Sequence, residues 1–333
     1  MALTYDNITA ITRKYWLKQF PQLVYDQSPL FKKLAAKGTK PESGASIMQP
    51  VMYAGLNGGA YSPFDTFNIS GKEILTAANF NWKYYQVGIV LSRDELLKNA
   101  GPEGVKKVMD AKMQMAKVTM TENLSNDALA FGANGASDSG SEMHSLDNML
   151  EDAAGSLSAP QTTYGGIDKA TYAWWAGKTQ DGGAADDGPH YATLNRLWGQ
   201  IVDGNIMPNL GLMHPESLTS YIAGQQSQQR YMKQTSLDAG FMTAEFNGIP
   251  IMGDRHVSGN SSTTTENRVY LLNTDYIDLV VHRDENFRLE PFAKPVDQAV
   301  IVGHIMFAGE LTSSDPSRSG VLEDFTYTDI TGL

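Results

Sequence analysis

Gly101–Phe131 reads GPEGVKKVMDAKMQMAKVTMTENLSNDALAF. Pro102 suits a first helical turn, where its missing N–H costs nothing, and no proline or glycine follows Gly104 in the stretch. Val105, Met109, Met113, Ala116, Met120 and Leu124 recur at three- and four-residue spacing, the mark of one apolar stripe on a helix. Lys106, Lys107, Asp110, Lys112, Lys117 and Glu122 mostly fill the other faces. A helix over this range is roughly 45 Å long at about 1.5 Å per residue, well beyond the roughly 11–12-residue mean. Two readings follow: a core helix, or a spine on which several layers lean.

Working outward toward the N-terminus, SRDELLKNAG forms a short helix. Ser92 can cap it, and Glu95 sits three residues on, as in a capping box. Residues 45–92 form a long β excursion. Ala45–Tyr53 is the outgoing strand and Phe80–Leu91 (FNWKYYQVGIVL), rich in aromatic and β-branched residues, the return. Between them lies GLNGGAYSPFDTFNISGKE, a tip with Gly55, Gly58, Gly59 and Gly71 that also carries Tyr61, Phe64 and Lys72. Two strands with a long tip are marginal alone in water. The excursion is therefore either a β-meander capped by a surface loop or a protruding hairpin that packs on another subunit. Residues 1–40 read as an arm, with apolar patches that include Trp16, Phe20 and Phe31 separated by Pro21 and Pro29. Tyr15 stands beside Trp16. An apolar segment of this kind needs a surface to cover, in its own domain or in a neighbour.

Toward the C-terminus, GANGASDSGSEM is a loop at a domain edge. Residues 135–282 read as a mixed α/β domain. Helices are expected at His144–Gly155, Tyr191–Asn205 and PESLTSYIAGQ, and KTQDGGAADDGPH (Lys178–His190) is expected as loop. Phe241–Phe246 and Ile249–Met252 flank Asn247-Gly248, a type I′ hairpin signal. Further strands are expected at 268–272 and 276–282. The end returns to β. Asn286–Phe292 and Gln298–Leu311 are strands, the second apolar on both of its period-two faces, so it is buried on both or packs on the long helix. A last strand covers Val321–Tyr327.

Composition narrows the function classes. The chain has 333 residues, 41% of them hydrophobic, enough for a sizeable core and more than one domain. No window is apolar for the roughly 18–20 residues of a membrane span, and the first residues lack a signal-peptide pattern. The absence of cysteine removes disulfides, thiolate catalysis and cysteine-ligated metal. A net charge of −11, with a pI near 5.0, argues against a broad face gripping a phosphate backbone. The six histidines form no HExxH, and GxSxG, P-loop and GxGxxG patterns do not occur. Asp254-Arg255-His256 reads as a turn salt bridge after the hairpin. The acidic loops Asp138–Glu142 and Asp181–Asp187 do not match Ca²⁺-loop spacing and read as solvated. No catalytic group, cofactor or metal is expected.

The order of parts is an apolar arm, a long β-hairpin, a long helix, an α/β insertion and a return to β. It resembles the major capsid protein of tailed bacteriophages, with the Hong Kong 97-type α+β fold. NWKYYQVGIVLSRDELLKNAGPEGVKKVMDAKM is similar to that family's join between extended loop and spine helix. GGIDKATYAWW, PESLTSYIAGQQSQQRY, FNGIPIMGDRHV and VYLLNTDYIDLVVH are similar to segments of its axial domains. The resemblance implies an N-terminal arm (1–44), an extended loop (45–92), a peripheral domain with the spine helix (93–134 and 286–333) and an axial domain (135–285). It implies assembly contacts through Gly55, Gly58, Gly59, Tyr61, Phe64 and Lys72 at the loop tip and through Tyr15, Trp16, Phe20 and Phe31 on the arm. An axial loop would carry Asp181, Asp186 and Asp187.

The implied function is self-assembly into the hexamers and pentamers of an icosahedral shell enclosing double-stranded phage DNA. The protein would sit in the virion and assemble in the host bacterial cytoplasm. The implied partners are further copies of the chain, a separate scaffolding protein (the loop pattern begins near residue 45, leaving no room for an internal one), a portal and a decoration protein. A crosslink from Lys72 has no partner that can be chosen from the sequence. The alternatives are an encapsulin-type nanocompartment shell, with protein rather than DNA as cargo, and a soluble α/β enzyme.

Overall fold

A computed structural model of the chain describes residues 28–67, 69–98, 102–129, 140–150, 162–182, 191–224, 243–259, 267–323 and 325. It opens on helix α1 (Pro29–Lys37) and strand β1 (Lys40–Glu42). A hairpin, β2 (Ile47–Met52) and β3 (Leu75–Phe80), leads to β4 (Lys83–Ser92), α2 (Arg93–Lys98) and the long α3 (Pro102–Ala128). Then come α4 (Leu146–Leu150), the short strands β5 (Thr163–Tyr164) and β6 (Ile167–Asp168), β7 (Lys178–Asp181), α5 (Tyr191–Ile201), β8 (Leu210–Met213) and α6 (Pro215–Gly224). The remaining strands are β9 (Thr243–Phe246), β10 (Ile249–Gly253), β11 (Arg268–Leu272), β12 (Ile277–His282), β13 (Arg288–Leu289), β14 (Val300–Ser313) and β15 (Gly320–Glu323).

Helix α3 runs for 27 residues. Met109, Met113, Ala116, Met120 and Leu124 are all buried along it, and Ala128 extends the stripe by one turn. Complete burial of a side chain such as Met113 or Leu124 contributes about 1.5–3 kcal/mol. The Val105 side chain lies outside the described residues, as does Phe131. Ser92 and Glu95 close the capping box at the start of α2. The Glu95 N–H donates to Ser92 Oγ at 3.1 Å and the Ser92 N–H to Glu95 Oε2 at 3.0 Å. Lys112 of α3 reaches across to Glu95 Oε2 at 2.8 Å and to the Val90 carbonyl at 2.5 Å, tying spine, helix and strand together.

The five-stranded sheet is built on β14. Along one edge β4 runs antiparallel from Val300↔Ser92 to Gly309↔Lys83. The other edge is shared end to end by β12 and β13, with β1 parallel to β12 outside. The expected hairpin of 45–53 with 80–91 is therefore corrected: β2 pairs with β3, and β4 leaves to pair with β14. The split falls at Asn81-Trp82, where the Trp82 indole N–H donates to the Gly44 carbonyl at 2.9 Å and the ring meets His282 edge-on. Past it, Val87, Ile89 and Leu91 alternate inward onto the core. β14 is also corrected. Its Ile301, Ile305 and Phe307 face is buried, its Val302, His304 and Met306 face is half-exposed, and only beyond Phe307 is it buried on both faces.

The six-stranded sheet has the order β7-β15-β11-β8-β10-β9. Leu210, Leu212, Met252, Tyr270, Leu272 and Val321 face the same core as α3 and β14. The alternate residues Met213, Ile251, Val269, Leu271 and Leu322 face α5 and α6 through Leu194, Leu197, Ile201, Leu218 and Tyr221. The β9–β10 hairpin turns on Asn247 (φ 47) and Gly248 (φ 84), the type I′ geometry.

Strand pairing crosses the expected 285/286 division twice. β12 joins β14, while β15 inserts between β7 and β11. The two crossings are fastened together, since the Asn273 N–H donates to Ser319 Oγ at 3.0 Å. Lys178–Asp181, expected as loop, is edge strand β7, because β15 offers it a parallel partner. The expected strand 286–292 shrinks to Arg288–Leu289 plus a bridge at Ala293.

Candidate assembly surface

The β2–β3 hairpin projects an apolar tip. Phe64 is 97% exposed and Ile69 93%, and Leu56, Tyr61 and Phe67 also face outward. The strands beneath continue the surface through exposed Met48, Met52 and Leu75. The tip nevertheless has local order. The Ser62 N–H donates to Asp65 Oδ2 at 2.6 Å, Asn57 Nδ2 to the Ser70 carbonyl at 3.0 Å, and Tyr61 packs edge-on against Phe67. A Cβ added at Gly55, Gly58 or Gly59 would meet nothing within 4 Å, so no close contact within the subunit requires glycine there. Lys72 is exposed on the return side. An apolar cluster this open costs solubility unless another surface covers it.

The YGGIDKATYAWW segment holds the hairpin at both ends of its paired strands, Asn79 and Phe80 at the root and Tyr53 toward the tip. Gly165 (φ +59) and Gly166 (φ +74) turn the β5–β6 hairpin, and the Gly165 carbonyl accepts from the Asn79 N–H at 2.9 Å. Phe80 meets the Tyr164 ring edge-on at 5.0 Å, and Tyr53 stacks on Trp174 at 5.3 Å. Beneath lies a buried pair, His144 Nδ1 with Glu310 Oε2 at 3.1 Å. Glu310 Oε1 also accepts from the N–H groups of His144 and Leu311.

Other polar contacts join distant elements. Asp254-Arg255-His256 is more than a turn cluster, because it clamps the spine. His256 Nδ1 lies 2.8 Å from Asp254 Oδ1 and Nε2 3.0 Å from Glu122 Oε2, while Arg255 pairs with Glu122. Ser28 Oγ donates to Asp254 at 3.1 Å, bringing the start of α1 to the same joint. The Lys37 ammonium donates to the carbonyls of Thr274, Asp275 and Ile277 and lies 2.7 Å from Asp278 Oδ1. Arg268, fully buried, lies between Asp147 and Glu323. Tyr85 donates to Asp127 at 2.5 Å, joining β4 to α3. Burial, then the Asp127 carboxylate, pushes the Tyr85 hydroxyl far up. Burial also raises Asp127, against the pull of the Tyr85 hydrogen bond.

The expected site residues therefore separate. Gly55, Gly58, Gly59, Tyr61, Phe64 and Lys72 share the tip. Phe31 belongs to the subunit's own core, because α1 turns it inward with Leu30 and Leu34. Asp181 ends β7. Tyr15, Trp16, Phe20, Asp186 and Asp187 lie outside the described residues. Leu56, Phe67 and Ile69 were missed, although they stand in the same run as the glycines that marked the tip. Among the described residues no group of three or more His, Asp or Glu is arranged to hold a metal, and no helix is long and apolar enough to cross a membrane.

No family model and no curated protein sequence matches the chain. Solved structures do. The capsid of cyanophage A-1(L) superposes with a TM-score of 0.64 at 15% identity, covering 92% of this chain and 93% of that one. The capsid of the native GTA particle gives 0.60 at 9% identity over 89% and 90%. The SrpI encapsulin of Synechococcus elongatus PCC 7942 gives 0.58 at 10% identity over 92% and 91%. The likeness runs nearly end to end and is one of fold. The chain has the α+β Hong Kong 97-type fold that its sequence resembles.

Proposed function

We propose that the chain is the major capsid protein of a tailed bacteriophage. It builds the hexamers and pentamers of an icosahedral shell around double-stranded DNA and has a structural rather than a catalytic role. The observation that carries this reading is the whole-length likeness to a phage capsid subunit. The projecting hairpin supports it, since its tip has apolar surface for a neighbour to bury. A capsid subunit shares modest contacts with many neighbours, and together they exceed the roughly 1,600 Å² of a standard interface. Burying the exposed hairpin tip on a neighbour couples the ordering of its side chains to assembly.

In this reading residues 1–44 are the arm, 45–92 the extended loop, 93–134 with 286–333 the peripheral domain and 135–285 the axial domain. β12 and β15 are exchanged across that last boundary. The particle is the protein's location, after assembly in a bacterial cytoplasm, and scaffolding, portal and decoration proteins are the partners such a shell takes. A net charge of −11 limits sticking to packed DNA; tight, salt-sensitive DNA binding by the subunit counts against that point. The encapsulin likeness favours a second reading, a shell around protein cargo. Negative-stain microscopy of the purified protein tests both. Closed shells, tubes or capsomer rings support a shell protein, and nuclease-protected DNA against co-purified protein cargo separates the two. A uniform compact monomer under all assembly conditions refutes both.

A further inference from the structure

We propose that the β5–β6 turn is the fulcrum that sets the angle of the extended hairpin, with Trp174 as the rest for the far end of its strands, so that Gly165 is a positioning residue for subunit-to-subunit geometry. The consequence for shells rests on the capsid reading above, whereas the fulcrum itself does not. Three observations converge on it. The backbone of Gly165 touches the hairpin directly, its carbonyl accepting from Asn79 N–H at 2.9 Å. A Cβ at Gly165 would lie 2.7 Å from Phe80 Cζ and 2.9 Å from Ala78 Cβ, both on the hairpin's inner face. Trp174 stacks on Tyr53 at the tip-ward end of the paired strands, so a tilt at Gly165 is felt there as lift off Trp174. At the root, the Trp82 indole N–H donates to the Gly44 carbonyl at 2.9 Å and ties the two chain ends of the hairpin together. The root is thus pinned, and the strands just beyond it rest on a glycine.

The lever ratio gives this contact its effect. The paired strands run from Ile47↔Phe80 to Met52↔Leu75, about 20 Å at about 3.4 Å per residue, and the tip extends beyond them. Relieving a Cβ contact at Gly165 to an ordinary separation of about 3.5–4.0 Å requires about 1 Å of movement. Taken about 10 Å from the pinned root, that movement is about 6°, or about 2 Å at the far end of the strands. Two ångströms is enough to break hydrogen bonds and unseat apolar side chains where the tip meets a neighbour.

Gly166 supplies the control. It has the same left-handed backbone (φ +74), yet a Cβ there meets nothing within 4 Å. Gly166→Ala therefore carries the turn strain without the push on Phe80. The chain has no cysteine, so spin labels at Gly58→Cys on the tip and Thr119→Cys on the exposed side of α3 report the hairpin angle in the unassembled subunit. Pulsed electron paramagnetic resonance should show the label distance shifted by about 2 Å or more in Gly165→Ala and unshifted in Gly166→Ala. Circular dichroism on each variant confirms an unchanged fold. In shells, Gly165→Ala should change the diameter distribution or give open sheets under conditions where wild type and Gly166→Ala close. An unshifted distance in Gly165→Ala, or an equal shift in Gly166→Ala, overturns the fulcrum. A shifted distance with no shells from any variant, wild type included, upholds the fulcrum and refutes the capsid reading instead.

Discussion

Replacing Phe64 and Ile69 with serine tests the hairpin tip without touching the subunit's core. Both side chains are almost wholly exposed, so the double variant should fold with its stability within about 0.5 kcal/mol of wild type, as for surface substitutions generally. In a shell both would be buried on a neighbour. Complete burial of a Phe or Ile side chain contributes about 1.5–3 kcal/mol, so the pair is worth about 3–6 kcal/mol per subunit contact. At about 1.4 kcal/mol per tenfold, the association constant of each contact falls by about a hundredfold to ten-thousandfold. Light scattering against protein concentration reads this as a raised critical concentration for assembly, with sedimentation distinguishing shells from free subunits. A variant that melts like wild type but does not assemble at wild-type concentrations is the expected result. An unchanged critical concentration would refute the reasoning, because it would mean the tip stays exposed in the particle.

Met113→Ala removes a fully buried spine side chain and should cost about 2–5 kcal/mol in chemical denaturation; a loss below about 1 kcal/mol would show that α3 is not a packed spine. Arg268→Ala leaves Asp147 and Glu323 buried without their cation and should cost about 3–5 kcal/mol, read as a lower melting temperature or insoluble expression; wild-type stability would show that the cluster is wet. The folded-state pKa of Asp127 lies above its unfolded value, so this group holds its proton more tightly in the folded state and takes stability away as pH rises through that range. Asp127→Asn keeps an acceptor for Tyr85, and its melting temperature minus that of wild type should grow more positive from pH 4 to pH 7; a shift in the negative direction contradicts the assignment.

Local patterns were legible where the contacts that fix them are close in sequence. The spine stripe, the Ser92–Glu95 capping box and the Asn247-Gly248 turn each depend on neighbours within a turn or two. What was not legible depends on partners far along the chain. β4 leaves the expected hairpin because Val300–Gly309 offers a better edge, and β15 joins β7 and β11 rather than the spine's sheet. The role of Asp254-Arg255-His256 required Glu122, 134 residues from His256. At the tip, glycines marked the place, but the surface a partner would meet is made by Leu56, Phe64, Phe67 and Ile69. Periodicity is silent there, because an exposed apolar residue in an irregular loop has the same local signature as a buried one.

The most direct test of the account is where the hairpin tip goes in an assembled particle. Cryo-electron microscopy of particles formed by the purified chain should show a closed shell, with Leu56, Phe64, Phe67 and Ile69 packed against a different copy of the chain. Particles in which the tip folds back onto its own subunit, or a preparation that contains only monomers, would contradict it.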